Sequence, residues 1–164
     1  MFSITKNEKS LKKKLYNIDL KNKTFSTKES GLILDFSSEY DWTFKTGSNC
    51  TFTTGYKCTF KTGYKCTFTT EWNCTFTTQE NCYFKTGSNC TFTTQDNCTF
   101  ITGWECIFNT GNNCTFTTGY KCTFKTGYKC TFTSGSYCNF NSEIIVFLIH
   151  MLIVNLHVEK NVFV

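Results

Sequence analysis

Every eighth residue from Cys50 to Cys138 is a cysteine, and a phenylalanine follows two positions after each one. The cysteines are Cys50, Cys58, Cys66, Cys74, Cys82, Cys90, Cys98, Cys106, Cys114, Cys122, Cys130 and Cys138. The phenylalanines are Phe52, Phe60, Phe68, Phe76, Phe84, Phe92, Phe100, Phe108, Phe116, Phe124, Phe132 and Phe140. Trp42-Thr43-Phe44-Lys45-Thr46-Gly47 is a degenerate further copy with tryptophan in the cysteine slot. Self-similarity at a fixed short period marks an architecture of stacked repeats.

A helix does not fit this period. Residues eight apart drift about 80° around a helix of 3.6 residues per turn, so the phenylalanines would wind round it rather than form a stripe. An extended strand does fit. In Cys-Thr-Phe-Thr, alternation sends Cys and Phe to one face and the flanking threonines to the other. Thr, Phe and Tyr favour strands, and Gly-Tyr-Lys, Gly-Ser-Asn or Gln-Asp-Asn between them supplies turn chemistry. The expected fold is an all-β solenoid, or β-helix, in which each copy gives one strand and one turn.

Such a coil closes after two copies, a period of 16, or after three, a period of 24. Residues 50–70 recur as residues 114–134 with Thr70 replaced by Ser134, an offset of 64 that suits 16 and not 24. A second echo, residues 44–54 repeated as 84–94, is offset by 40 and suits neither. Two strands per coil are favoured. Residues 42–142 then form about six coils, a rod near 30 Å long at about 4.8 Å per rung.

Phenylalanine supplies buried area, about 2–3 kcal/mol per fully buried side chain, and stacked rings add a geometric preference. Reduced cysteine packs as a small apolar side chain, so Cys and Phe are expected as paired core ladders. Disulfides are the competing reading, encouraged by the even count. Facing strands about 10 Å apart are beyond disulfide reach, while ladder neighbours near 4.8 Å are within it. Zinc sites use close pairs such as Cys-x-x-Cys, and a uniform spacing of eight offers none. His150 and His157 lie outside the array. No metal and no cofactor are expected, and no Ser/His/Asp set, acid pair or phosphate loop suggests an enzyme.

The outward rows carry the other chemical message: Thr51 with Thr53, Thr67 with Thr69, Thr75 with Thr77, Thr91 with Thr93, Thr115 with Thr117, and Thr131 with Thr133. Ranks of methyl and hydroxyl groups on a flat sheet can order water. Gly55-Tyr56, Gly63-Tyr64, Gly119-Tyr120 and Gly127-Tyr128, each leading through two residues into a Thr-x-Thr or Thr-x-Lys strand, give an octapeptide that resembles the repeat of bacterial ice-nucleation proteins. That resemblance covers residues 42–142 and implies a β-solenoid with a water-ordering face. The chain departs from the family in its Cys and Phe. It is also similar to uncharacterised Cys-Thr-Phe octapeptide repeat proteins. In a two-strand coil one face has Tyr83/Lys85 and Thr99/Ile101 in its middle rungs, and the other carries Lys61, Asn109, Lys125 and Asn141, so the ranks are interrupted. Exposed threonine is also simply a good strand former.

Composition frames the rest. Pro, Arg and Ala are absent and the formal charge of +5 is carried by lysine, a skew consistent with AT-rich codons. Nucleic acid is not an expected partner, because such binding clusters Lys and Arg on one face. Residues 1–41 are Lys-rich, with one apolar patch at Gly31–Phe36, and are expected to cap the rod or to be partly disordered. Residues 143–164 are abruptly apolar. Within them 144–158 is short for a membrane span, which needs about 20 residues. A cap is the first reading there, a membrane tail the second and out-of-frame translation past the repeats the third. Met1–Lys14 lacks an apolar core and cleavage site, so a reducing, cytoplasmic location is expected, with membrane association or secretion if the cysteines are oxidised. The five Asn-Cys-Thr acceptor patterns, at Asn49, Asn73, Asn89, Asn97 and Asn113, then stay unmodified. The expected role is a non-catalytic rigid spacer or binding surface, meeting an unknown protein partner or other copies through the rod ends. The alternatives are a water-ordering protein and a membrane-tethered stalk or adhesin.

Overall fold

A computed structural model describes residues 2–142, 146–148 and 154–158. These residues form a β-solenoid of about seven turns with parallel stacked strands. Two ten-stranded sheets lie back to back. The first runs from the Ser3–Lys6 hairpin arm through Ile33–Phe36, Thr51–Thr54, Thr67–Thr70 and Tyr83–Lys85 to Thr99–Ile101, Thr115–Thr117, Cys130–Thr133 and Val146–Leu148. The second takes the alternate strands, from Thr24–Ser26 and Thr43–Lys45 up to Cys138–Ser142 and Val154–Val158. Register is invariant through the array: Thr51 pairs with Thr67, Phe52 with Phe68 and Thr53 with Thr69, so one coil is two copies and two strands.

Turns outnumber the six expected because stacking begins below the first cysteine. Thr24–Ser26 lies under Thr43–Lys45 and Ile33–Phe36 under Thr51–Thr54. In this lower coil Leu34 pairs with Phe52, and Leu32 accepts the Thr51 N–H as Cys50 accepts that of Thr67. Both leucines are buried and stand in the Phe and Cys slots. Beneath them the chain reverses. Ser3–Lys6 runs antiparallel to Ile33–Phe36, and Asn17–Asp19 antiparallel to Thr24–Ser26. The rod base is thereby covered by hairpins rather than left as open parallel edges. Phe2 stacks on Phe36 at 4.6 Å, and Trp42 meets Phe36 edge-on at 5.0 Å. The Trp42 indole N–H is buried without a partner.

The interior is two interlocked phenylalanine columns. Rings on the same sheet stack nearly parallel, as Phe76 on Phe92 at 4.9 Å and 2°, while rings on opposite sheets meet edge to face, as Phe84 and Phe92 at 5.2 Å and 76°. The rung spacing sets the first distance and the thinness of the coil sets the second, and both are favourable aromatic geometries. A third inward position follows Cys and Phe: the threonine at or just past the end of the strand, buried in some copies and half-buried at Thr62, Thr86, Thr102 and Thr118. Thr54, Thr70, Thr78, Thr94, Thr110 and Thr126 are buried. The Thr78 hydroxyl donates to the Gln79 carbonyl at 3.3 Å.

The last residue of each Gly-Tyr-Lys, Gly-Ser-Asn or Gln-Asp-Asn turn, not the glycine, adopts the left-handed conformation. The residue just before each cysteine slot carries the positive φ, from Asp41 (67°) and Asn49 (56°) through to Lys129 (57°) and Tyr137 (61°), and Gly31 (71°) holds that place in the lower coil. Asparagine tolerates this conformation better than other residues with a β-carbon, which explains its place before cysteine. The Asn-Cys-Thr pattern is thus a product of backbone geometry. Lysine at the same place is strained, so replacing Lys65 and Lys129 by Asn is expected to gain about 0.5 kcal/mol each. Together they should raise the melting temperature by about 2–4 °C in a thermal scan. No gain would mean that the turn sets φ without regard to the side chain.

At the other end, backbone register continues past the last cysteine. Val146 pairs with Cys130 and Leu148 with Phe132, then Val154 with Cys138 and Leu156 with Phe140. These strands belong to the segment read as a cap or membrane tail. The rest of that segment, residues 143–145, 149–153 and 159–164, lies outside the described residues. No helix among the described residues is long and apolar enough to cross a membrane.

Candidate functional site

Three features of the rod carry its chemical groups: the outer sheet faces, the buried thiol ladders and the turn edges. On the first sheet Thr51 sits beside Thr67, Thr53 beside Thr69, Thr115 beside Thr131 and Thr117 beside Thr133. Thr51, Thr69, Thr115, Thr117 and Thr133 are exposed, whereas Thr53, Thr67 and Thr131 are half-buried. The two blocks are separated by rungs carrying Tyr83 with Lys85 and Thr99 with Ile101. On the second sheet Thr75/Thr77 and Thr91/Thr93 are adjacent, and Ile107/Asn109 follows. Neither face presents more than two successive complete Thr-x-Thr rungs.

All twelve cysteines are free and buried. Each thiol sits at a corner of the coil facing turn carbonyls. Cys90 Sγ lies 3.5 Å from the Ser88 oxygen in its own turn and 3.6 Å from the Glu71 oxygen one rung down. A small apolar group with one weak donor suits this corner. Thiols one coil apart on the same ladder also shift one another's ionisation, so their protons do not come off independently. Cys58 is pushed up by Cys74 and then by burial; Cys90 by Cys106 and Cys74 and then by burial; Cys114 by Cys130 and Cys98 and then by burial. Donation from Cys58 and Cys90 pulls Cys74 down, and burial opposes it. Cys98, Cys106 and Cys130 are likewise pulled down by their ladder neighbours, with burial opposing. Because S–H is a weak donor and the corner is closed to water, burial disfavours a thiolate at every level of the ladder.

The two turn edges differ, which the repeat pattern alone does not disclose. One edge is polar. Asp96 Oδ1 accepts the Asn112 N–H at 2.8 Å, and Asn112 Oδ1 accepts the Tyr128 N–H at 3.0 Å. The other edge is aromatic. Tyr40, Tyr56 and Trp72 occupy successive rungs, stacked at 5.0 Å and 4.7 Å with interplanar angles of 1° and 3°. After Ser88 the column resumes with Trp104 and Tyr120, 5.4 Å apart. The signal was available: with two copies per coil, alternate copies share an edge, and the residue after each Gly, Glu or Gln then reads Tyr, Trp, Ser, Trp, Tyr from 56 to 120.

Among the described residues no group of three or more His, Cys, Asp or Glu side chains is placed to hold a metal ion. Comparison with known proteins finds no family model, no curated protein and no solved structure that matches this chain. The likeness to the ice-nucleation octapeptide therefore rests on the Gly-Tyr and Thr-x-Thr positions themselves.

Proposed function

We propose that this protein is a non-catalytic rigid spacer whose length is its working property and whose edges are its binding surfaces. The observation that carries this reading is the unbroken double phenylalanine column from Phe44 to Phe140, in which each ring between the ends touches neighbours above, below and across. A body packed this way resists bending, and it is the part of the molecule every repeat reproduces.

Coil deletion tests it. Removing residues 115–130 joins Cys114 to Thr131 in register, so the variant should fold, keep its strand content by circular dichroism and shorten by about 4.8 Å in solution scattering. Removing only residues 115–122 should also fold, but every later strand then moves to the opposite sheet. Collapse of the whole-coil deletion would end the spacer reading. A second reading, water ordering, is favoured by the paired threonine rungs at 51–69 and 115–133 and opposed by Lys85 and Ile101 between them. Faceting of ice crystals by the intact protein would put it first.

A further inference from the structure

The aromatic edge has a gap one rung high. Ser88 stands between Trp72 below and Trp104 above, because Asn73 N–H donates to the Ser88 oxygen and Asn89 N–H to the Trp104 oxygen. The Ser88 hydroxyl is engaged by the Trp104 N–H at 3.1 Å, so the side chain is tied down and does not fill its rung. Both tryptophans are about half exposed, 45% and 47%. Trp72 is held flat by Tyr56 on its other side, while Trp104 is canted 43° from Tyr120.

Two rungs separate the tryptophans by about 9.6 Å, so a group centred in the gap lies about 4.8 Å from each ring level. Less the thickness of the rings, roughly 6 Å is open, too tall for one flat ring to touch both walls and close to the width of a tetrahedral alkylammonium group. The same column shows what its ring faces attract. At its lower end, on the face of Tyr40 turned away from Tyr56, the Lys23 ammonium sits 3.8 Å from the ring centroid.

Local charge favours a cation as well. Glu71 and Glu105, both exposed, adjoin the two tryptophans in sequence, and the turn rungs 71–73, 87–89 and 103–105 contain no lysine. Lys57 and Lys121 are each two rungs from Ser88, and Lys121 lies 3.5 Å from Glu105. Lys85 shares the Ser88 rung but is carried on the outer face of the first sheet.

We infer that the Ser88 gap binds a quaternary ammonium group, held between the Trp72 and Trp104 rings with Glu71 beside the lower one. Recognition of such cations by aromatic faces is a general device. The inference stands independently of the spacer reading.

The test is tryptophan fluorescence of the full chain titrated with tetramethylammonium chloride or choline chloride against sodium chloride at equal ionic strength. A saturable change is expected at concentrations on the order of millimolar. The neutral choline isostere 3,3-dimethylbutan-1-ol should bind about tenfold more weakly. Ser88→Tyr fills the gap with the residue found at rungs 40, 56 and 120, so it should fold and melt normally while abolishing the response. Glu71→Gln should weaken it several-fold. No saturable response, equal binding of the neutral isostere, or a response that survives Ser88→Tyr would each overturn the inference.

Discussion

Between pH 8 and pH 9.5 the protein is expected to lose a large part of its stability, more than a chain of this size without buried thiols. Free cysteine ionises near pH 8.5, so the unfolded chain sheds thiol protons above that value. In the fold, Cys58, Cys90 and Cys114 are raised by their ladder partners and by burial, while donation from ladder neighbours pulls Cys74, Cys98, Cys106 and Cys130 down against burial; all twelve thiols are out of water. Above about pH 8.5 the unfolded state binds fewer protons than the folded state, so stability falls as pH rises. Below it, the thiol contribution is fully present. Each thiol that stays protonated contributes a slope of up to about 1.4 kcal/mol per pH unit, and several acting together exceed the stability of an ordinary domain. Urea midpoints at pH 7, 8, 9 and 9.5 under reducing conditions read this directly. A flat profile would mean that the cysteines are oxidised or that they titrate inside the rod. At pH 7 a thiol reagent should react with none of the cysteines until denaturant is added.

The second large effect is expected at the middle of the phenylalanine columns. Phe92 stacks between Phe76 and Phe108 at 4.9 Å and meets Phe84 and Phe100 edge-on at 5.2 Å. Truncation to alanine removes all four contacts and leaves a cavity that rung spacing prevents from closing, at a cost of about 3–5 kcal/mol. In a linear array held by nearest-neighbour contacts, such a hole also divides the rod into two weakly coupled halves. The denaturation curve of Phe92→Ala should therefore broaden as well as shift. Phe92→Leu should cost less than half as much, since Leu34 already fills a phenylalanine slot at the base. A loss below about 1 kcal/mol for the alanine variant would show that the columns are not what holds the coils together.

How much of this was legible follows from where the period is strict. Through the array the alternation of Cys, Thr and Phe gives strand, face and ladder together, and the echo of residues 50–70 at 114–134 gives the two-strand coil. The other echo, of 44–54 at 84–94, fits neither coil length and is explained by the structure. Both strands of a coil present the same core, so moving by five copies only exchanges sheets. The base was illegible because the period breaks there. Ile33 pairs with Thr51 and Thr24 with Thr43, separations longer than any within the array, so Gly31-Leu32-Ile33-Leu34 is a repeat in geometry without being one in spacing. Beyond Cys138 the regular spacing survives but the letters change, with Val and Leu replacing Cys and Phe in register. The left-handed residue before each cysteine was hidden because Asn, Lys, Glu and Tyr all occupy it, and the buried strand-end threonine because its neighbours in the sequence are threonines that face outward.

The direction of the stacking governs how the molecule would respond to force. The backbone hydrogen bonds between rungs, such as Thr91 N–H to the Cys74 oxygen at 2.9 Å, run along the rod, and the chain climbs one coil at a time. Tension applied along the axis through the chain therefore loads the terminal coil first and lets it peel away before the next is strained. Each coil released exchanges about 4.8 Å of rod for two copies' worth of extended chain, a gain of roughly 50 Å. Compression meets stacked rings and backbone in contact at every level. Under compression the rod would act as a strut, and under a pull it would unwind like thread from a spool.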